Sequence, residues 1–357
     1  MKQTEIISIY DSVKDRAGVL HAAELLRRGG TVVIPTETVY GLAANAGDAG
    51  AVAQVFEAKG RPADNPLIVH IARMEELPPL VTEVPENARI LAARFWPGPL
   101  TMILPKSAAV PDITAGGLDT VAIRMPANPI ARAIIEACGF ALAAPSANRS
   151  GSPSPTTAAH CIDDMAGRVD AIVKSAPCTV GVESTVVSLC GPVPTLLRPG
   201  AVTLEELRDA LGPVELGIGV LERLEENARA LSPGLKYKHY SPQADVILIK
   251  GTREEYLRWL TQLPERAGCW AMCFDEDVPG IGMDYLSYGP RRDHRTQAVR
   301  IFGLLREVDR HGARRVYVHA PDPDGIGLAV YNRLARAAGF QIVEAGSTAV
   351  GEEGKPW

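Results

Sequence analysis

Two cationic side chains stand one residue apart where an apolar, helix-forming segment ends, in the stretch "EAKGRPADNP". Lys59 and Arg61 flank a single glycine, and Pro62 and Asn65 follow before the next apolar run. Because proline stops a helix, both cations are predicted to lie on a constrained loop, where ammonium and guanidinium groups bind phosphate oxygens. Cations at a helix C-terminus also complement the helix dipole without a ligand, so a purely structural role stays open.

A loop rich in small polar residues, "APSANRSGSPSPTT", follows the apolar run "FALAAP". Ser146, Asn148 and Ser154 supply hydroxyl and amide groups in this loop. Successive backbone N–H groups of such a loop can enclose an anion. The alternative is a solvent-exposed loop that binds nothing, and the two prolines in the stretch fit either case.

Other candidate residues also lie at the ends of apolar runs. The stretch "PTETVYGLAANA", residues 35–46, places hydroxyls and a carboxylate where the chain leaves a strand. Loops at strand ends bind ligands in α/β proteins, although threonines there can simply cap a turn. Arg124 and Arg198 end two predicted strands, and Ser184 precedes another. A single strand-end arginine is usually solvated, but several that converge on one cleft would indicate an anion site.

Several well-known site motifs do not occur in the sequence. There is no GxxxxGK[ST], GxGxxG, HExxH or GxSxG, so any nucleotide site must use another scheme. Six scattered cysteines lack the CxxC spacing, and they are predicted to be buried thiols in a reducing compartment. The net charge of -5 argues against a protein that coats DNA, although it leaves room for a local basic cleft.

The elements that must position these residues divide the chain in two. Residues 1–212 mix Pro-bounded strands such as "TVVIP", "PLIVHI", "PLTMILP" and "TVAIRMP" with helices, which predicts a twisted mixed sheet with flanking helices. Residues 244–357 alternate strand and helix regularly, which predicts a smaller Rossmann-like domain with a parallel sheet. A chain of 357 residues favours two domains. Residues 213–243 are predicted to link them.

The sequence also bears on location. The N-terminus carries no apolar segment of signal-peptide length, and no run is long enough to span a bilayer. We therefore expect a cytoplasmic protein without membrane association. A monomer is the default expectation for its oligomeric state.

Seven of these stretches resemble one known family when they are taken in order. They are "PTETVYGL", "KGRP" with "NPL", "WPGPLT", "VAIRMP", "APSANRSG", "STVV" and "LLRPG". Over roughly residues 15 to 205 they look like the YrdC-domain family of threonylcarbamoyl-AMP synthases. The stretches "KYKHYSP" and "PDPDGIGLAVYNRLARAAG" are similar to the linker and the C-terminal Rossmann-like domain of the longer, two-domain members.

The resemblance implies a reaction and its partners. L-Threonine, bicarbonate and ATP would give L-threonylcarbamoyladenylate and pyrophosphate, with Mg²⁺ bound to the triphosphate rather than to a dedicated carboxylate cage. A separate tRNA threonylcarbamoyl transferase complex would receive the product for the t6A modification at tRNA position 37. The enzyme itself would not need stable nucleic-acid binding.

The resemblance also implies roles for single residues. The residues that would hold threonine are Thr36, His70, Arg124, Ala144 and Ser184. Those on the ATP side would be Lys59, Arg61, Asn65, Thr120, Ser146, Asn148, Ser154, Arg198 and Tyr240. Lys59, Arg61, Ser146 and Asn148 form the KxR and SxN signatures, which are assigned here to catalysis.

The linker carries a further hypothesis. In an extended conformation Lys236, Lys238 and Tyr240 share one face, and Tyr237 and His239 share the other. The resemblance suggests that this segment folds over the cleft as a lid, with Tyr240 against the nucleotide. Two rival functions remain at this stage: a module that binds double-stranded RNA or tRNA without turnover, and a carbamoyl-phosphate enzyme, whose additional cysteine pairs are missing here.

Overall fold

The computed structural model describes residues 2–222 and 240–346. Over these residues the chain divides into two units, each built around its own sheet. The first unit comprises residues 2–150 and 154–220, and the second comprises 151–153, 221–222 and 240–346. No helix within these ranges is long and apolar enough to cross a membrane.

The first unit contains a mixed sheet of eleven strands among its described residues, flanked by helices, as the sequence predicts. Its strands are β1 (Glu5–Ser8), β2 (Val32–Ile34), β3 (Gly41–Asn45), β4 (Ile68–His70), β5 (Leu100–Pro105), β6 (Thr120–Arg124), β7 (Leu142–Ala143), β8 (Ala171–Lys174), β9 (Thr185–Ser188), β10 (Thr195–Arg198) and β11 (Glu215–Leu216). Its helices are α1 (Arg16–Arg27), α2 (Ala49–Lys59), α3 (Glu86–Phe95), α4 (Asp112–Ala115), α5 (Pro129–Cys138), α6 (Ala158–Met165) and α7 (Leu204–Leu211). The strand order is β1-β8-β2-β3-β7-β4-β6-β5-β9-β10-β11.

Helix α2 shows how local sequence places a functional group. The Asp48 side chain caps its N-terminus by accepting hydrogen bonds from the N–H groups of Gly50 and Ala51. Gly60 ends the helix in the left-handed conformation with a φ of 63°, which glycine adopts without steric cost. Lys59 is therefore the last residue of α2 and only Arg61 lies on the following loop, so the prediction that both cations lie on that loop is wrong for Lys59, because the helix continues up to Gly60.

The two faces of the central strands differ in what they bury. One face packs into the main apolar core of the unit through residues such as Val69, Met102 and Ile123. The opposite face carries a small, separate apolar cluster, which consists of Ile68, Ile103, Ala122, Val186 and Leu197. Side chains alternate along a strand, so a residue two positions from a member of this cluster on the same strand faces the same side. We call this side the cleft face.

The second unit contains a five-stranded sheet in which every strand pair is parallel. Its elements are β12 (Asp245–Lys250), α8 (Arg253–Thr261), β13 (Cys269–Cys273), β14 (Tyr285–Ser287), α9 (His294–Arg310), β15 (Arg315–His319), α10 (Gly327–Ala337) and β16 (Ile342–Glu344). The strand order β14-β13-β15-β12-β16 shows that the chain winds in both directions from the first strand. The predicted Rossmann-like parallel architecture is confirmed.

Some elements differ from the expectations drawn from sequence. Strand β3 occupies Gly41–Asn45, inside the stretch read as a strand-end loop, because its small residues lack the β-branched signal of a strand. Strand β1 is an edge strand with mostly exposed residues, so it shows no apolar alternation. Both differences lie where burial and pairing, rather than local residue preference, decide the conformation.

Candidate active site

Arg124 is the most constrained cation of the cleft face. It lies at the end of β6 and is only 3% exposed. Its Nε donates to the carbonyl oxygen of Gly98 at 3.2 Å, and one terminal nitrogen donates to Thr38 Oγ1 at 2.8 Å. The other terminal nitrogen forms an ion pair with Glu37 Oε1 at 2.5 Å. The guanidinium group is thus held by three acceptors.

The Glu37 carboxyl group stays ionised beside this arginine. Burial raises its pKa, but the Arg124 charge and hydrogen bond, together with the backbone N–H groups of Ala127 and Glu37, lower it by more, so the net pKa is below the ordinary value. The two side chains are 10% and 4% exposed, respectively. The site therefore contains a buried, charged pair at neutral pH.

The arginine retains hydrogen-bonding capacity after these contacts. A guanidinium group carries five N–H groups, of which the acceptors above use three, so two have no acceptor among residues 2–222 and 240–346. Two N–H groups match the two oxygens of a carboxylate. The neighbouring Thr36 hydroxyl donates its proton to the Val39 carbonyl oxygen at 2.6 Å. Its oxygen lies 2.9 Å from Thr38 Oγ1, so in this pair the Thr38 hydroxyl is the donor.

His70 lies beside Arg124, since these residues are paired in register on the parallel strands β4 and β6. Burial, together with the Arg124 charge, lowers the pKa of His70 to about 3. Its Nδ1 lies 3.1 Å from the carbonyl oxygen of Ile68, which can only accept a hydrogen bond. The neutral ring therefore carries its proton on Nδ1, and Nε2 is left as a hydrogen-bond acceptor.

A hydroxyl pair continues the cleft face beyond the arginine. Thr101 on β5 is paired in register with Arg124, and its Oγ1 lies 2.7 Å from Ser184 Oγ. Arg198 donates to Ser184 twice, to its Oγ and to its carbonyl oxygen, both at 3.0 Å. The structure therefore brings a residue predicted for threonine, Ser184, into direct contact with one predicted for ATP, Arg198.

An irregularity in β10 aims Arg198 at the cleft face. Leu196 pairs with Val187, but Arg198 pairs with Val186, so two residues of β10 oppose one of β9. This is a β-bulge, a feature that re-aims side chains next to functional sites. Leu197 consequently joins the apolar cluster of the cleft face while Arg198 lies at its end.

Lys59 is buried, with 4% exposure, and it ties two signatures together. Its Nζ donates to the carbonyl oxygen of Asn148 at 2.6 Å and also to that of Ser146. Burial lowers its pKa well below the ordinary value, and the charge of Arg61 lowers it further. The KxR and SxN signatures are thus brought together by Lys59 Nζ.

The loop after α2 contains an unusual amide. Asn65 is 1% exposed, yet neither its Oδ1 nor its Nδ2 has a hydrogen-bond partner within the described ranges. Arg61 fixes the loop by donating to the carbonyl oxygens of Asn65 and Pro66, at 3.3 and 3.1 Å. An unpaired buried amide costs free energy of about 1–3 kcal/mol, so the cost at Asn65 is not offset within the described residues.

The remaining predicted residues surround the same strands. Ala144 N–H donates to the Ile68 carbonyl oxygen at 2.9 Å, next to the β4 residues above. Thr120 begins β6, at the opposite end of that strand from Arg124. Ser154 donates through its hydroxyl to the buried carboxylate of Glu183, which directly precedes Ser184.

Tyr240 lies in the second unit. Its ring packs against Phe302, with centroids 5.2 Å apart, and the Arg333 guanidinium lies 5.5 Å from its centroid. Its role towards ATP stays a prediction. The other residues of the proposed lid, Lys236 to His239, lie outside the described residues.

Sequence reasoning missed four residues of the cleft. They are Glu37, Thr38, Thr101 and Glu183, all buried or nearly so. A signal existed for the first two, because "PTETVYGL" was singled out for its hydroxyls and carboxylate. Thr101 reads as an ordinary strand residue, and only strand pairing reveals its contact with Ser184.

The fold and this cleft define a class of protein. One face of the first sheet carries buried arginines and hydroxyls, and the loop after α2 in the same unit carries an unpaired amide; both sets of groups suit a ligand with carboxylate or phosphate groups. In residues 2–222 and 240–346, no group of three His, Cys, Asp or Glu side chains could hold a metal ion.

Comparisons with known proteins agree with this description. Residues 24–200 match the Sua5_yciO_yrdC family, described as "Telomere recombination", and residues 202–339 match the "Threonylcarbamoyl-AMP synthase, C-terminal domain". The chain is 43% identical over 350 residues to a threonylcarbamoyl-AMP synthase of Pyrococcus abyssi, covering 96% of this chain and 99% of the relative. It is 43% identical over 329 residues to that of Bacillus subtilis, covering 91% and 94%.

A solved structure extends the likeness to three dimensions. The crystal structure of P. abyssi Sua5 complexed with L-threonine aligns with a TM-score of 0.88 and 42% identity, covering 96% of this chain and 99% of the other. The chain belongs to the two-domain threonylcarbamoyl-AMP synthase family. The resemblance noted from the sequence motifs is confirmed.

The charge state of His70 is open to direct measurement. Because its pKa is lowered to about 3, the ring should stay neutral, with its proton on Nδ1, between pH 8 and pH 5. Imidazole ¹⁵N–¹H NMR spectra, assigned by comparison with a His70→Gln variant, should show no titration of this ring. A His70 signal that titrates between pH 6 and 7 would contradict the buried, neutral state.

The same shift has a consequence for stability. The folded-state pKa lies below the ordinary value of 6.5, so the wild type should lose stability relative to His70→Gln as pH falls below about 6.5. The loss should reach roughly 2 kcal/mol at pH 5, and none should appear between pH 7 and 8. Urea unfolding of both proteins at each pH measures the difference.

Proposed function

We propose that this chain is an L-threonylcarbamoyladenylate synthase, a nucleotidyltransferase that condenses L-threonine, bicarbonate and ATP and releases pyrophosphate. The observation that carries the proposal is the Arg124 guanidinium, buried beside its neutral partner His70 with two N–H groups remaining for a carboxylate. Family membership supports the activity, and the relative solved with L-threonine supports the amino-acid substrate.

The proposed chemistry needs no covalent enzyme intermediate. The threonine amine attacks the carbon of bicarbonate or CO₂ and forms an N–C bond, giving a carbamate with loss of water or a proton. A carbamate oxygen then attacks the α-phosphorus of ATP, the bond from that phosphorus to the bridging oxygen breaks, and pyrophosphate leaves. Positioning and charge neutralisation are sufficient for both steps.

Threonine would be held by the cleft face. The two remaining N–H groups of Arg124 would take its carboxylate, and Nε2 of His70 would accept a hydrogen bond from its amine or hydroxyl. Thr36 and Ser184 would supply hydroxyl contacts, and Ala144 would form part of the wall. This placement puts threonine next to Ser184, whose hydroxyl also accepts a hydrogen bond from Arg198.

ATP would occupy the side formed by the KxR and SxN signatures. Arg61 and Arg198 are the cations of this side, with Lys59 holding the SxN loop in place. The remaining contacts would come from Asn65, Thr120, Ser146, Asn148, Ser154 and Tyr240. The unpaired amide of Asn65 offers one donor and one acceptor side by side, which matches an edge of adenine.

Magnesium would accompany ATP, held by phosphate oxygens and water. It would neutralise charge on the triphosphate as pyrophosphate leaves. In this scheme the cations of the chain position the nucleotide, and the ion is a companion of the substrate.

The product would serve tRNA modification. Threonylcarbamoyl adenylate would pass to a separate tRNA threonylcarbamoyl transferase complex, which forms t6A at position 37. Since the acceptor is tRNA, the proposal places the reaction in the cytoplasm. An RNA-binding module without turnover would instead need exposed cations, whereas Lys59, Arg124 and Arg198 are at most 6% exposed.

The activity has a direct test. With ATP, Mg²⁺, L-threonine and bicarbonate, pyrophosphate should appear together with an equal amount of a threonine-dependent AMP adduct, detected by mass spectrometry. Equal pyrophosphate release without threonine, or none at all, would contradict the proposal. Tight, salt-sensitive tRNA binding with no turnover would favour the RNA-binding alternative.

Two variants should separate the substrates. Arg124→Ala should raise KM for threonine by about 100-fold or more, because it removes a bidentate ionic contact, while KM for ATP changes little. Lys59→Ala should act mainly on ATP, because it releases the SxN loop. Indistinguishable kinetic profiles for the two variants would contradict the assignment of roles.

Substitution of Asn65 by leucine should raise the stability of the ligand-free protein and weaken its use of ATP. Asn65→Leu removes two unpaired buried polar atoms, so the ligand-free protein should become more stable by about 1–2 kcal/mol. The same variant should weaken ATP use by about 10-fold or more and reduce the preference for ATP over GTP, with KM for threonine unchanged. Thermal unfolding without ligand and steady-state kinetics measure the two effects. A less stable variant with normal ATP kinetics would contradict both.

A further inference from the structure

The acceptors of Arg124 come from two short segments. Glu37 and Thr38 are consecutive residues that bind different terminal nitrogens, and Gly98 binds Nε from the other segment. Three acceptors in different directions fix both the position and the plane of a guanidinium group. The two N–H groups left for a ligand therefore point in a direction that these contacts determine.

The loop that carries Glu37 is itself fastened. The backbone carbonyl oxygen of Glu37 accepts a hydrogen bond from Val180 N–H at 2.8 Å. The Thr38 hydroxyl is linked to Thr36, which in turn donates to the Val39 carbonyl oxygen. The carboxylate thus belongs to a held loop and can serve as a fixed reference for the arginine.

Among these acceptors Glu37 carries the charge. The Thr38 hydroxyl and the Gly98 carbonyl oxygen are neutral, whereas the carboxylate forms a charge-assisted bond at 2.5 Å in a nearly buried place. Removing one partner of a buried ion pair leaves the other uncompensated, and the survivor then moves towards water or another acceptor. Without Glu37, the guanidinium plane would lose its strongest constraint.

We propose that Glu37 is a positioning residue of the threonine site, which orients the Arg124 guanidinium so that its two remaining N–H groups receive the α-carboxylate of the substrate. This inference rests on the proposed function, because it assumes that threonine binds at Arg124. Glu37 acts through the arginine and does not contact the carboxylate. Its effect is therefore confined to substrates that carry an α-carboxylate.

The test compares two ligands on three variants of the full-length chain. L-Threonine and L-threoninol, in which a CH₂OH group replaces the carboxylate, are titrated by calorimetry into wild type, Glu37→Ala and Glu37→Gln. Glu37→Ala should weaken threonine binding at least 10-fold and change threoninol binding less than 2-fold. Glu37→Gln, which keeps an acceptor without the charge, should fall between wild type and Glu37→Ala.

Controls separate positioning from general damage. Glu24→Gln removes another ion-paired glutamate, on the exposed surface of α1, and should leave binding of both ligands unchanged. ATP binding by Glu37→Gln should be close to wild type, and its thermal unfolding should stay cooperative, although loss of the buried ion pair lowers its melting temperature. This conservative variant keeps the test informative even if Glu37→Ala fails to fold.

Each outcome decides between alternatives. Equal loss of threonine and threoninol binding would show disruption of the pocket and overturn the positioning role. Tighter threonine binding in either variant would show that Glu37 competes with the substrate carboxylate, which also overturns it. Unchanged threonine binding in Glu37→Ala would overturn the inference but leave the proposed function standing. A wild-type chain that does not bind threonine would overturn both.

Discussion

A guanidinium group taken out of water must find acceptors for its N–H groups, and the cleft of the first unit is organised around this requirement at Arg124. Two segments meet it from different directions, the loop at Glu37 and Thr38 and the segment at Gly98. Among the described residues, these acceptors take three of the five N–H groups of Arg124. The two N–H groups left over match the two oxygens of a carboxylate, which is the basis of the proposed role of this arginine in binding threonine.

The same principle of incomplete satisfaction applies to the loop that follows α2. Asn65 is buried with neither amide atom paired among the described residues, whereas Lys59 donates to two carbonyl oxygens and has become part of the framework. A buried polar group that lacks partners costs stability, and it is retained where a ligand supplies those partners. The contrast distinguishes a buried group whose hydrogen bonds are satisfied from one whose hydrogen bonds are not.

Much of this could be predicted from the sequence, and the limits have a physical basis. The main strands and helices, the parallel second sheet and the KxR and SxN loops follow from apolar periodicity and from glycine and proline punctuation. The proximity of His70, Arg124 and Thr101 could not be predicted in this way, because it depends on the pairing register of three strands that are distant in sequence. The bulge that orients Arg198 could not be predicted either, since no residue in "TLLRPG" indicates that two residues of β10 oppose one residue of β9. Glu37 was visible as a carboxylate in a promising loop, but its partner became apparent only in three dimensions.

The central claim is that the two remaining N–H groups of Arg124 receive the carboxylate of threonine while Glu37 stays in place. A high-resolution crystal structure of this chain with L-threonine tests it most directly. Both carboxylate oxygens should lie about 2.7–2.9 Å from Arg124 nitrogens, with the Arg124–Glu37 ion pair intact. A carboxylate bound elsewhere in the cleft, or one that has displaced Glu37 from the arginine, would contradict it.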